Sequence, residues 1–405
     1  MKFALYQPWI YLHGGLERSL LELVTRSRHE WTVYTGHYEP ENTFSGFRDV
    51  DVRVVGHTTV NRSIKGVLTS VLNVALQRLP LEPQVRGLVV WCDGVGDMIT
   101  FRNRALPLFN ICSTPLRPVF DPVYSSMAKN HRGLLGRLAF SLFSHTFKVV
   151  DRLAWRRYRG VFATSREVRN RILAGGLHDG GKDMIMAYPG IEWSASPDVR
   201  YEPFILLPGR IMWTKNIQQG IEAFLMARLP APWKLVVAGF VDRKSRVYLE
   251  ELQRISGSEG RVEFVVSPDD EQLNDLYRRC AFCLFTPLNE DWGIVPLESM
   301  AHAKPVIATA RGGPLESVID GSTGFLHEPD DLAGWSRSIA ALATDRERLL
   351  AMGAAALQHV KRYRWEEFVR TIDDALEAWV VEGAVSSANS GDSMSSEDRR
   401  FNPAP

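Results

Sequence analysis

Short apolar runs alternate with longer stretches in which apolar residues recur three and four positions apart, and this rhythm holds along most of the 405-residue chain. In the first half the runs Phe3–Gln7, Trp31–Thr35, Asp51–Val55, Gly87–Cys92, Leu108–Cys112 and Gly160–Thr164 predict strands. Gly87–Cys92 is apolar throughout, as expected of a parallel strand covered on both faces. Leu16, Leu20, Leu21, Leu23 and Val24 keep helical spacing, and a Leu/Val-rich helix is predicted over Lys65–Leu79. The second half is more regular. Strands are predicted at Phe204–Leu207, Lys234–Ala238, Val262–Val266, Phe282–Thr286, Pro305–Thr309 and Phe325–Glu328, with helical patterns between them. Such alternation implies two α/β halves, each a parallel sheet with helices on both faces. Tyr188-Pro189-Gly190-Ile191-Glu192 reads as the linker, and Arg364–Trp379 as a final amphipathic helix. Beyond Glu382 the Ser/Gly/Asn/Asp-rich tail has almost no apolar residues, which predicts disorder.

Parallel sheets place their ligands beyond the carboxyl ends of the strands, so the residues that follow each run carry the chemical interest. His13-Gly14-Gly15 stands between a strand and a helix, where glycine lets backbone approach a ligand closely and the helix N-terminus points at it. The pattern is not Gly-x-Gly-x-x-Gly, so a nicotinamide site is unsupported. Gly87–Cys92 delivers Asp93 and Asp97, which read either as helix caps or as substrate contacts, and Leu108–Cys112 delivers Ser113-Thr114-Pro115. After Phe204–Leu207 come Gly209-Arg210 and Lys215, cations able to face the charge of a departing diphosphate.

The densest stretch is Asn289–Ile307, NEDWGIVPLESMAHAKPVI. Glu290 and Glu298 bracket a Gly-Ile-Val-Pro turn. Pro296 suits a first helical position, which predicts a helix start near Val295 with Glu298 in the first turn. That end is an anion seat, so a phosphate there would have a carboxylate on each side. Taken alone, the two acids also fit a surface acid and a capping acid. Trp292 and Trp213 read equally as donor-site lining or as core.

Glu290-Asp291-Trp292-Gly293-Ile294-Val295-Pro296-Leu297-Glu298, followed by Lys304-Pro305-Val306-Ile307-Ala308, resembles the donor-site signature of retaining GT-B glycosyltransferases, family GT4. The resemblance continues through Gly312-Gly313 and Asp320-Gly321-Ser322-Thr323-Gly324-Phe325-Leu326, includes Gly209-Arg210, Lys215 and Gly14-Gly15, and reaches about residue 380. It implies a GT-B fold: two Rossmann-like domains facing each other across a cleft. Residues 1–193 would bind the acceptor and 194–358 the nucleotide sugar, 359–382 would pack back on the first domain, and 383–405 would be a tail. It also implies catalytic roles for Arg210, Lys215 and Glu290, with Glu290 on the sugar hydroxyls. Gly14, Gly15, Gly209, Ser267, Gly293, Ile294, Val295 and Glu298 would bind the donor, with Glu298 on the ribose diol and Ser267 bordering the nucleobase. Asp93, Ser113 and Thr114 would lie on the acceptor side.

The activity implied is transfer of a hexose, mannose or glucose, from GDP-mannose or a UDP-hexose to a hydroxyl acceptor, with retention and without a metal or other cofactor. The acceptor is a sugar, a lipid-linked sugar or a small molecule, and no nucleic-acid partner is expected. Relatives often have His-Thr-Pro where this chain has Ser113-Thr114-Pro115. That departure leaves a silent nucleotide-sugar-binding module open, beside another GT-B enzyme such as a nucleotide-sugar epimerase.

Composition adds three points. Net charge is +1, yet residues 1–200 hold 26 Lys/Arg against 17 Asp/Glu, and the rest 22 against 30. The surplus centres on Lys129–Arg171. Lys129–Arg159 mixes Leu134, Leu135, Leu138, Leu142 and Phe147 with these cations, which fits either a peripheral helix on an anionic membrane or a covering helix with a solvated face. Four cysteines do not make a disulfide scaffold, and Cys280-x-x-Cys283 borders a buried strand, so packing is its expected role. No apolar run nears the roughly 20 residues of a membrane span, and Met1-Lys2 leads straight into a strand, so a cytoplasmic location is expected.

Overall fold

The computed structural model describes residues 1–59, 64–92, 94–130, 133–195, 197–242, 244–257 and 260–395. They form two compact units. Unit 1 comprises Met1–Thr164, Val168–Ala187 and the chain from Phe368 onward; unit 2 comprises Ser165–Glu167 and Tyr188–Glu367.

Unit 1 holds a seven-stranded sheet in the order β3-β2-β1-β4-β5-β6-β7. Its strands are β1 Lys2–Tyr6, β2 Glu30–Thr35, β3 Val52–Val54, β4 Val85–Cys92, β5 Leu108–Cys112, β6 Tyr158–Ala163 and β7 Met184–Met186. Every pairing is parallel. Helices α1 Gly15–Arg26, α2 Ile64–Leu76, α3 Arg117–Phe120, α4 Pro122–Asn130, α5 Leu134–Trp155 and α6 Arg166–Ala174 make the crossovers. The continuous apolar run in β4 is the buried centre: Leu88, Val89, Val90 and Trp91 have no exposed surface. Strand β7 has no counterpart among the sequence expectations. Its three residues are all partly exposed at a sheet edge, too short for a period to show.

Unit 2 holds a six-stranded parallel sheet in the order β10-β9-β8-β11-β12-β13. The strands are β8 Phe204–Pro208, β9 Lys234–Gly239, β10 Val262–Val266, β11 Phe282–Phe285, β12 Val306–Thr309 and β13 Gly324–His327, matching all six expected runs. Between and after them lie α7 Ile217–Ala227, α8 Arg246–Ile255, α9 Asp270–Arg279, α10 Ile294–Ala301, α11 Pro314–Ser317, α12 Leu332–Thr344 and α13 Arg346–Val360. Asp269 begins α9 with a reciprocal capping box: its carboxylate accepts from the Gln272 N–H, and Gln272 accepts from the Asp269 N–H. Cys280 and Cys283 are fully buried with their sulfurs 3.9 Å apart, as packing residues should be.

The last helix, α14, runs Trp365–Ser395. This corrects the expectation of disorder beyond Glu382 as far as Ser395; residues 396–405 lie outside the described ones. Within unit 1 it docks by two means. Trp379 stacks on Phe109 at 5.6 Å and leans on Phe162 at 5.0 Å, over Gly160, where a Cβ would lie 2.4 Å from the indole. Asp373 accepts from the Ser27 hydroxyl at 2.7 Å and the Arg28 N–H at 3.0 Å. No helix among the described residues is long and apolar enough to cross a membrane.

Candidate active site

In unit 2 the strand order changes direction between β8 and β11, so the loops leaving these two strands diverge at the carboxyl edge and leave a crevice there. The β8 loop brings Gly209, Arg210 and Lys215. Gly209 takes φ +136, and its N–H donates to Ala238 O at 3.0 Å. The neighbouring β9 ends in Gly239, where a Cβ would lie 1.8 Å from Gly209 O, so only glycine lets the two strand ends touch. Ser267, at φ +54, donates its N–H to Gly239 O at 2.9 Å. Three adjacent strand ends are thus laced together by backbone, with the Arg210 and Ser267 residues exposed beside the lacing.

The β11 loop brings Glu290. It is tied to the β8 loop by Leu288 N–H donating to Thr214 O at 3.2 Å and the Thr286 hydroxyl to Lys215 O at 2.8 Å. It is held from the other side by Gly313 N–H donating to Glu290 O at 2.8 Å. A Cβ on Gly312 would lie 2.0 Å from that same oxygen, and one on Gly313 2.0 Å from Trp292 O. The glycine pair lets one loop lie flat on the other. The result is that Lys215 Nζ donates to the Glu290 carboxylate, with the two side chains 22% and 18% exposed. A charge pair this shielded is stronger than a surface one, yet it is open to a ligand.

Helix α10 starts at Ile294 with Gly293, φ +80, as its N-cap. That corrects the expected start. Pro296 is the third helical residue, tolerated because the first four N–H groups of a helix have no internal partner anyway. Glu298 is the fifth, and no acid lies in the first turn. Its carboxylate accepts from the Tyr277 hydroxyl of α9 at 2.7 Å. Of the two readings open to Trp292, the structure selects one: it is buried, donates to Pro189 O at 3.0 Å, and packs with Tyr188 at 4.9 Å and Tyr363 at 5.2 Å. It is core. Trp213 stays exposed, on the turn that ends at Lys215.

The carboxyl edge of unit 1 is quieter. Gly14 caps α1 and Gly15 opens it, and the buried first-turn acid Glu17 brings its carboxylate to within 2.5 Å of where a Gly14 Cβ would lie. Ser113 accepts from Trp91 Nε1 at 2.7 Å. Thr114 faces inward, accepting from Arg171 at 2.8 Å, and Arg171 is paired with buried Asp121 at 3.0 Å. Asp97, expected as a helix cap or a substrate contact, is instead a buried acceptor, taking hydrogen bonds from Asn110 at 2.8 Å and Tyr158 at 2.6 Å. Asp93 lies outside the described residues.

The family described as glycosyl transferases group 1 matches residues 194–359. The chain is 24% identical over 436 residues to alpha-1,3/1,6-mannosyltransferase alg-2 of Neurospora crassa, covering 91% of this chain and 90% of that one. It is 27% identical over 365 residues to alpha-1,3/1,6-mannosyltransferase ALG2 of Mus musculus, covering 80% and 85%. Among solved structures it shares its fold with Anabaena HepE in complex with UDP and glucose, at TM-score 0.68 and 19% identity, over 93% of this chain and 100% of that one. The chain is a glycosyltransferase, with a group 1 domain over residues 194–359.

It is therefore a hexosyltransferase of GT-B fold that takes its sugar from a nucleotide-sugar donor. In this glycosyltransferase the residues marked by sequence in unit 2 share the carboxyl edge of the sheet: Gly209, Arg210, Lys215, Ser267, Glu290, Gly293, Ile294 and Val295 all lie on loops or the helix start there. Sequence reasoning missed Gly239, which closes an apolar run and could have been flagged as a strand-end glycine. It also missed Tyr277, whose position in a charged amphipathic helix carries no signal of what its hydroxyl meets.

Proposed function

We propose that this enzyme is a retaining mannosyltransferase that moves mannose from GDP-mannose to a sugar hydroxyl of a growing glycan. The observation that carries the site assignment is the shielded Lys215–Glu290 pair at the unit 2 switch point, next to the start of α10. A donor diphosphate at that helix end meets first-turn N–H groups at Ile294 and Val295, Lys215, and the exposed cation of Arg210. Negative charge grows on the diphosphate as the bond from the sugar carbon to the phosphate oxygen breaks, so these donors stabilise the transition state more than the ground state. Supply of cations by the protein makes the reaction metal-independent, with activity retained in EDTA.

Lys215, drawn to the diphosphate, still borders Glu290, whose carboxylate is left to accept from hydroxyls of the sugar. The acceptor hydroxyl attacks from the face the diphosphate leaves, and its proton passes to a phosphate oxygen. No protein base is required, and configuration is retained. Glu298 accepts from the ribose diol and Ser267 borders the nucleobase. Gly14 and Gly15 offer the α1 N-terminus to the donor, and Ser113 stands on the acceptor side.

Mannose is favoured because relatives that align over most of this chain are named as mannosyltransferases, and because Asp291 and Ile294-Val295-Pro296 resemble GDP-mannose users. The competing donor, UDP-glucose, is favoured by a structural neighbour solved with UDP and glucose. A screen of GDP-mannose, GDP-glucose, UDP-glucose and UDP-galactose for donor hydrolysis and transfer decides. Turnover with GDP-mannose at least tenfold above the rest is expected; a preference for UDP-glucose overturns the mannose assignment, and no turnover with any donor overturns the enzyme reading of the site.

The enzyme sits peripherally on an anionic membrane through α5. Leu134, Leu135, Leu138 and Leu142 stand exposed along its first half, and between Pro122 and Gly160 the sole acid is Asp151, which is buried. The outer face of the helix thus combines bare leucine with cations alone, the pairing that anionic interfaces select.

A further inference from the structure

The clamp behind Glu298 has no part in the chemistry so far. Tyr277 lies near the end of α9, 2% exposed, and its hydroxyl donates to Glu298 Oε2 at 2.7 Å. His302, just past α10, lies flat on the Tyr277 ring with centroids 5.3 Å apart and planes 13° apart. Its Nδ1 donates to the Glu298 carbonyl oxygen at 2.8 Å, and its Nε2 lies 2.6 Å from the Asn274 side chain of α9. One cluster therefore grips Glu298 twice, by its carboxylate and by its backbone, and joins α9 to α10. Burial, and after it the charge of Glu298, push the Tyr277 phenol well above its ordinary pKa, so it remains a donor across the working pH range.

We propose that Tyr277 is a positioning residue that aims the Glu298 carboxylate at the ribose diol and so sets the preference of the enzyme for ribonucleoside over deoxyribonucleoside donors. The proposal rests on the reading of Glu298 as the ribose acceptor. A glutamate side chain has three rotatable bonds, and a binding site that must order it on arrival of the ligand loses affinity. Freezing one such side chain beforehand is worth a factor of roughly three to ten. The phenol, held from behind by the stacked imidazole, does that freezing: a charge-assisted hydrogen bond fixes one carboxylate oxygen, and through it the plane and direction of the whole group. The advantage is spent only on ligands that use the carboxylate. Removal of the phenol oxygen should thus weaken ribose-bearing ligands and leave deoxyribose-bearing ones alone, a split that a general loosening of unit 2 cannot produce.

The test is calorimetry with GDP and with 2′,3′-dideoxy-GDP, which lacks both hydroxyls, or the UDP series if the donor screen selects it, on the full-length enzyme and on Tyr277→Phe, His302→Phe and Glu298→Gln. Wild type should favour the ribonucleotide by tenfold or more. Glu298→Gln should bring that ratio near one. Tyr277→Phe, which keeps the ring, should weaken the ribonucleotide roughly three- to tenfold, leave the dideoxynucleotide unchanged, and raise KM for the donor while kcat stays within about twofold. His302→Phe keeps the stack but loses the anchor, and should shrink the same ratio by less; it serves as the reporter if Tyr277→Phe folds poorly. A wild-type ratio retained in both Tyr277→Phe and His302→Phe overturns the proposal. A wild type without ribonucleotide preference, or a Glu298→Gln variant that keeps it, overturns instead the ribose reading of Glu298.

Discussion

The carboxyl edges of the two sheets are built alike and used differently. Each has a switch point, between β1 and β4 in unit 1 and between β8 and β11 in unit 2, and each places a strand, a glycine and a helix start there. In unit 2 the polar groups at the edge are fastened to one another while staying within reach of a ligand, as Lys215 and Glu290 show. In unit 1 they are fastened inward: Ser113 to Trp91, Thr114 to Arg171, Asp97 to Asn110 and Tyr158. On the proposed reading the first arrangement holds charge ready for the diphosphate of the donor. The inward fastening of Thr114 and Asp97 is what a structural role requires of them.

The comparison breaks most easily at Arg171. If the unit 1 edge is structural, Arg171→Ala strips the partner from buried Asp121 and should cost about 3–5 kcal/mol of stability, read as a lower midpoint in urea. A wild-type midpoint with lost turnover would make that edge a site and erase the contrast. Next in size is Lys215→Ala, which should cut kcat by about 10²–10³ with a smaller change in donor affinity. An unchanged kcat would remove the shielded pair from the chemistry.

Within unit 2 the two acids sharpen the comparison further. Glu298→Gln should weaken the free nucleoside diphosphate by about 1.5–3 kcal/mol, as much as it weakens the whole donor, because the ribose is common to both. Glu290→Gln should leave nucleoside diphosphate affinity nearly intact while lowering turnover and blurring choice among hexoses. The reverse pattern in calorimetry would exchange their assignments. The smallest effect is expected on the outer surface of unit 1. Each basic residue near an anionic bilayer contributes about 1 kcal/mol, so the protein should sediment with anionic vesicles, detach in salt, and lose part of that binding in Leu138→Gln/Leu142→Gln. Equal sedimentation with neutral and anionic vesicles would leave α5 as a covering helix.

The amino-acid sequence by itself determined the two parallel sheets and all six strands of unit 2, and it marked the run Asn289–Ile307 around which the proposed site is built. It could do so because periodicity is local and because the glycines and charged residues of the donor edge sit directly after apolar runs. It also supplied the family, through residues whose order along the chain is the order of strand ends. The tertiary structure alone decided the rest, and each case has the same physical reason: the deciding contact joins residues far apart in the chain. Glu298 read as a first-turn acid, but Gly293 caps the helix earlier, and the acid answers to Tyr277, 21 positions upstream, which no local pattern announces. Trp292 looked equally like lining and core until Tyr188, Pro189 and Tyr363 closed around it. Thr114 stood at a promising strand end, yet Arg171, 57 residues on, turned its hydroxyl inward. Composition told against order beyond Glu382, whereas α14, already anchored through Asp373 and Trp379, carries its helix on to Ser395, since extending a helix costs far less than starting one.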